Sequence, residues 1–192
     1  MGNFYFRLAK PDQAQEAYQK AVEIAPDNIK YQMVLAGFYS ATGEKDEALA
    51  TYRKALEIEP ENVQVMHAVA RFYLDQGDFD EAEKQIAEIL EKRSNYFPAR
   101  MLQGELLAKK RDFPAAIQIF DQLIEEEPGS AQANYFKAVS HYGLGDLELA
   151  KSSTTRAAPK CTMWISCSNP QTRYTAVIII STLPKKRMHS AR

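Results

Sequence analysis

The side chains most able to do chemistry are few and scattered. The chain has three histidines, His67, His141 and His189, and two cysteines, Cys161 and Cys167. The cysteines have five residues between them, which matches no common zinc or redox spacing. His67 has no cysteine near it and no acid at a repeated spacing, so it reads as a surface residue and not as a metal ligand. The run Glu125-Glu126-Glu127 reads as a solvated helix edge. No phosphate-binding glycine loop, HExxH zinc motif or GxSxG nucleophile motif occurs. The expectation is a protein with no catalytic residue, no metal and no cofactor.

What does recur is a packing pattern. Alanine stands at Ala14, Ala48, Ala82, Ala116 and Ala150, each 34 residues after the last. Tyr18, Tyr52, Ile86 and Phe120 follow at the same interval, then Ala21, Ala55, Ile89 and Leu123. Pro26, Pro60 and Pro128 share one position, where Ser94 fills the third occurrence. Tyr5, Tyr39, Tyr73, Leu107 and His141 share another, and Gly43, Gly77 and Gly145 lie at multiples of the same period. His141 is therefore expected to be a packing residue.

Residues 29–62 show what one unit does. Leu35, Ala36 and Tyr39 form one helical stripe. Gly43 can take the left-handed conformation that ends a helix. Asp46 and Glu47 then sit where a new helix N-terminus is positive. Ala48, Tyr52, Ala55 and Leu56 make the second stripe, and Pro60 stops it. Each unit is thus helix A, tight turn, helix B, turn. Small residues at 36 and 48 allow close approach, and large ones at 39 and 52 fill the space beside them.

This 34-residue frame resembles the tetratricopeptide repeat (TPR). The resemblance implies an all-α solenoid of antiparallel helix pairs, forming part of a right-handed superhelix. The array covers residues 1–157, with a partial repeat 1–28, full repeats 29–62, 63–96 and 97–130, and a partial repeat 131–157. The tryptophan position of the family holds Gln32, Met66, Arg100 and Asn134 instead. The resemblance also implies a concave groove lined by helix A, at positions 2, 5, 9, 12 and 13 of each repeat. The partner-binding residues it assigns here are Lys30, Met33, Gln64, His67, Arg71, Asp75, Met101, Glu105, Lys109, Gln132, Tyr135 and Val139. Gly37, Ser40, Ala41 and Leu74 share those positions. Some family members clamp a chaperone's terminal carboxylate with lysine and asparagine at fixed positions. Those positions hold Met33, His67, Met101 and Tyr135, then Gly37, Arg71, Glu105 and Val139, so no such clamp is expected.

The implied function is a non-catalytic scaffold that holds a protein or peptide in the groove. Two alternatives follow from the same resemblance: an envelope-associated protein of a bacterial exosortase or exopolysaccharide export system, and the substrate-recruiting arm of a larger enzyme such as a glycosyltransferase. A nucleic-acid partner is not expected, because residues 1–151 carry 17 Lys and Arg against 25 Asp and Glu. The related pentatricopeptide proteins also repeat at a different length. No apolar run is long enough to span a bilayer. The compartment is unassigned: cytoplasmic by default, periplasmic or envelope-associated if a longer N-terminus exists.

The last residues are chemically distinct. Residues 152–192 hold seven basic side chains and no acid, and they contain both cysteines and the one tryptophan, Trp164. Pro159 falls where helix B of the fifth repeat should continue. Residues 158–192 are expected to be either a frameshifted product or a disordered basic tail.

Overall fold

The computed structural model describes residues 1–157, so the expected frameshifted or disordered tail at 158–192 lies outside the described residues. Among the described residues the chain is all-α and contains ten helices: α1 (Gly2–Arg7), α2 (Pro11–Ile24), α3 (Ile29–Thr42), α4 (Lys45–Ile58), α5 (Val63–Gln76), α6 (Phe79–Lys92), α7 (Phe97–Lys109), α8 (Phe113–Glu126), α9 (Ala131–Leu144) and α10 (Leu147–Ala157). Odd-numbered helices are the A helices and even-numbered ones the B helices. The chain divides into two compact units, Met1–Leu102 and the part from Gln103 onward.

Both kinds of turn repeat atom for atom. Between helices A and B, one residue is left-handed: Gly43 (φ +89°), Gly77 (φ +87°) and Gly145 (φ +86°). Ala9 (φ 54°) and Arg111 (φ 67°) occupy the same repeat position and adopt the same conformation without being glycine. At each turn the next N–H closes a bond to the carbonyl five residues earlier. These are Lys10 to Tyr5 (3.0 Å), Glu44 to Tyr39 (2.9 Å), Asp78 to Tyr73 (3.0 Å), Asp112 to Leu107 (2.9 Å) and Asp146 to His141 (2.9 Å). This bond satisfies a helix-end carbonyl and fixes the reversal. The left-handed region disfavours side chains with a Cβ, and α7 ends one residue earlier in the repeat than α3, α5 and α9.

The turns from B to A also share one hydrogen bond. Asn28 donates to Ala25, Asn62 to Glu59, Tyr96 to Arg93 and Ser130 to Glu127, at 3.1, 3.2, 3.1 and 2.9 Å. Proline is therefore favourable but not required, and Ser94 supports the same geometry as Pro26, Pro60 and Pro128. At the last residue of the turn, Asn28, Asn62 and Ser130 accept backbone N–H groups of the following helix and cap it.

The first unit is held by ring packing. Phe38 of α3 lies against Tyr18 of α2 (ring centroids 5.4 Å apart) and Phe6 of α1 (5.7 Å), and Phe72 of α5 lies against Tyr52 of α4 (6.0 Å). Ala14, Ala36, Ala48 and Ala55 are fully buried, so the helices meet over methyl groups. In the second unit Phe120 is fully buried and stacks on Phe136 at 5.8 Å and 16°. Gly104 lets α7 close onto that ring, because a Cβ there would lie 2.5 Å from it. Ser140 holds the position that Phe38 and Phe72 hold in the first unit, and its hydroxyl donates to Phe136 O at 2.9 Å. His141 is buried as a packing residue, 3.9 Å from Asp146.

The family's tryptophan position is buried at Gln32, Met66 and Asn134. The two amides are accommodated because each donates to a carbonyl of the preceding turn: Gln32 to Pro26 O and Asn134 to Ser130 O, both at 2.9 Å.

Candidate functional site

The A helices carry the expected contact residues, and each unit treats its share differently. In the first unit, Lys30 and Gln64 are exposed at the start of α3 and α5, where Asn28 and Asn62 accept their backbone N–H groups at 3.1 and 2.9 Å. Met33 and Arg71 are half-buried, and Asp75 is exposed. His67 is half-buried, with its ring edge-on to Tyr96 at 6.3 Å and 86°. Its pKa is lowered, first by burial and then by the Arg71 charge, against a backbone hydrogen bond at Pro98 that works the other way. The imidazole is therefore neutral at pH 7 and serves as a hydrogen-bonding and packing group.

Tyr96 was not among the expected residues. It occupies the capping position where Asn28, Asn62 and Ser130 offer short polar side chains of the kind whose cap is worth about 1 kcal/mol. The sequence contained the signal: Ser94 and Tyr96 both depart from the repeat at one turn.

Gly37 is the second departure. A glycine inside a helix costs about 1 kcal/mol relative to alanine. Gly2 and Gly104 have a packing reason, since a Cβ would strike Tyr18 or Phe120. At Gly37 a Cβ would meet nothing within 4 Å. The position faces open space, so packing does not call for glycine there.

In the second unit the expected row is partly closed. Glu105 is only 3% exposed and accepts a hydrogen bond from Gln132 Nε2 at 3.1 Å. Tyr135 is half-buried with its ring against Phe136 at 5.2 Å, and Val139 is half-buried. Lys109 and Gln132 are exposed. Gly143 lies under the Phe113 ring. Met101, at the end of the first unit, is 3% exposed, and Leu74 is fully buried. The structure thus corrects the expectation that Met101 and Leu74 present open surface; both are covered by their neighbours and act as core.

An open depression at the α4–α5 turn is lined by Pro60, Asn62, Gln64 and Arg93, and it takes in only Gln64 of the expected row. Among the described residues no group of three or more His, Cys, Asp or Glu side chains is arranged to hold a metal. No described helix is long and apolar enough to cross a membrane.

Three tetratricopeptide repeat models match the chain, over residues 1–61, 46–106 and 101–165. The chain belongs to the tetratricopeptide repeat family. A TPR protein from Parabacteroides merdae ATCC 43184 superposes with TM-score 0.72 at 21% identity, covering 92% of this chain and 66% of that one. PilW, a widely conserved type IV pilus biogenesis factor, gives TM-score 0.72 at 18% identity over 94% of this chain and 83% of its own. YrrB, a TPR protein with an unusual peptide-binding site, gives TM-score 0.56 at 20% identity over 92% and 88%. These likenesses show the TPR solenoid fold. No curated protein matches the chain in sequence. TPR proteins are interaction scaffolds, and protein–protein interaction is the general role of this chain.

Proposed function

We propose that the A-helix row of the first unit holds an extended segment of a protein partner, and that the chain performs no chemistry of its own. Gly37 carries the reading. It has a cost in helix stability, no packing need, and open space where a partner side chain or backbone can approach. The surroundings suit such a ligand. Met33 and the exposed Val34 offer adaptable apolar contact, and Lys30, Gln64, His67 and Arg71 offer polar groups on consecutive repeats. Tyr96 fixes the His67 ring, which lowers the ordering cost of a contact there. The peptide-binding site recorded for YrrB is consistent with this use of the fold.

The test is selection of random dodecapeptides by display on the full chain, followed by calorimetric titration. The selected peptides are expected to share a large apolar side chain. Gly37→Leu should weaken their binding by roughly tenfold or more, about 1.4 kcal/mol, without lowering the melting temperature. Equal affinity for the wild type, Gly37→Leu and His67→Ala would place binding elsewhere.

A further inference from the structure

His67 is tied into the row from two sides. Its ring stands edge-on to Tyr96, 6.3 Å away at 86°, and it makes a backbone hydrogen bond at Pro98. Proline has no N–H, so the ring donates and the Pro98 carbonyl accepts. A neutral imidazole has one donor and one acceptor. With the donor committed to Pro98, the other nitrogen of His67 is an acceptor. The ring is half-buried, and that nitrogen is not among the described buried polar atoms that lack a partner. Arg71 acts on the ring through its charge and not through a hydrogen bond. The acceptor is therefore reachable from the row.

The helix turns it toward the place where a partner lies. Val65, Val69 and Phe72 are buried on the opposite side of α5, and Phe72 packs on Tyr52 of the preceding B helix. Gln64 and Arg71 share the His67 side, one turn before and one turn after.

Protonation reverses the character of the ring. The acceptor becomes a second donor, and a positive charge appears one turn from Arg71. Burial and then the Arg71 charge oppose that protonation. The neighbouring elements carry charges of their own, Lys30 on α3, Glu57 on α4, Glu88 and Lys92 on α6 and Arg100 on α7, and none of them is a cause of that opposition.

We propose that the row binds its partner with His67 neutral, the ring accepting a hydrogen bond from a backbone N–H of the extended segment, so that acidification releases the partner. This rests on the reading of the row as the binding site.

Calorimetry of the full chain between pH 8 and 5 tests the switch. The probe is a display-selected dodecapeptide with blocked ends and no His, Asp or Glu, and nuclear magnetic resonance follows the ring titration of the free chain. The dissociation constant should double where the ring is half protonated and rise about tenfold one pH unit below that point. Binding near pH 6.5, the ordinary histidine value, should release protons, read from heats in buffers of different ionisation enthalpy. Circular dichroism checks the fold at that pH, so acid unfolding does not imitate the release. His67→Gln keeps an amide acceptor and cannot titrate, so its affinity should hold within about twofold across the range. A wild-type affinity that is constant, or that rises as pH falls, overturns the switch; if Gly37→Leu still weakens binding at pH 7.5, the row stands as the site. Equal affinity of wild type and Gly37→Leu removes the row and the switch with it. A parallel loss in His67→Gln shows that another group titrates and overturns the switch as well.

Discussion

The seam between helices and the outer row of the A helices share the same backbone and obey different rules. Along the seam, one residue type returns every 34 positions, and the burial returns with it: Ala14, Ala48, Ala82, Ala116 and Ala150 are all fully buried. Along the row, successive repeats place Gly37, Arg71, Glu105 and Val139 at one position, in settings from open space to a closed hydrogen-bonded site. Recurrence therefore marks what the fold needs. Departure from recurrence marks what the fold does not explain, and the first unit concentrates its departures at Gly37 and the Ser94–Tyr96 turn.

This contrast is broken most severely at the seam. Phe120→Ala removes a fully buried ring stacked on Phe136 and should cost about 3–5 kcal/mol, measured by urea unfolding. Gly104→Ala places a Cβ 2.5 Å from the same ring and should cost about 1–3 kcal/mol by overpacking, although alanine is the better helix former. A stabilised Gly104→Ala protein would show that the ring has room to move.

The left-handed turns give smaller effects, opposite in sign at Ala9 and Arg111 and of the same sign at Gly77. Arg111→Gly and Ala9→Gly should each stabilise by about 0.5–1 kcal/mol, the relief of left-handed strain less the extra backbone entropy of glycine. Gly77→Ala should destabilise by about 1 kcal/mol. Thermal melts of the three variants separate the turn from the seam, since none of the three positions is part of the buried core.

In the row, Gly37→Ala should raise stability by about 0.8 kcal/mol, the helix-propensity difference, because nothing obstructs the new methyl group. The last effect is set by pH. His67 is held neutral in the fold, with a pKa below its usual value. The unfolded chain therefore binds the proton more readily. The stabilisation is complete above the unfolded value near 6.5 and is lost as pH falls through the folded value. Denaturation midpoints of wild type and His67→Gln between pH 7.5 and 5 should converge toward the acid end, and parallel curves would refute the assignment.

Much of this was legible before any coordinates. The periodic alanines, the aromatic position and the glycine turns specify helix pairs because each choice satisfies packing and backbone geometry together. The left-handed turns at Ala9 and Arg111 were not legible from residue type. They are imposed by the seam on either side and by the bond from the next N–H, as from Asp112 to Leu107. Burial in the row was also hidden, since it depends on the reach of neighbouring side chains. Met101 and Glu105 are buried at positions that are half-buried in the other repeats, and Gln132 helps close the second. The role of Tyr96 was readable in principle, because its cap position holds Asn28, Asn62 and Ser130 in the other turns.

The most direct test is nuclear magnetic resonance of the full chain titrated with a display-selected peptide. The account predicts that the largest shifts fall on the Met33 methyl, the Gly37 and Arg71 amides and the His67 ring, with the seam alanines unmoved. Shifts centred on the exposed B-helix positions Glu47 and Glu81, with Gly37 silent, would contradict it.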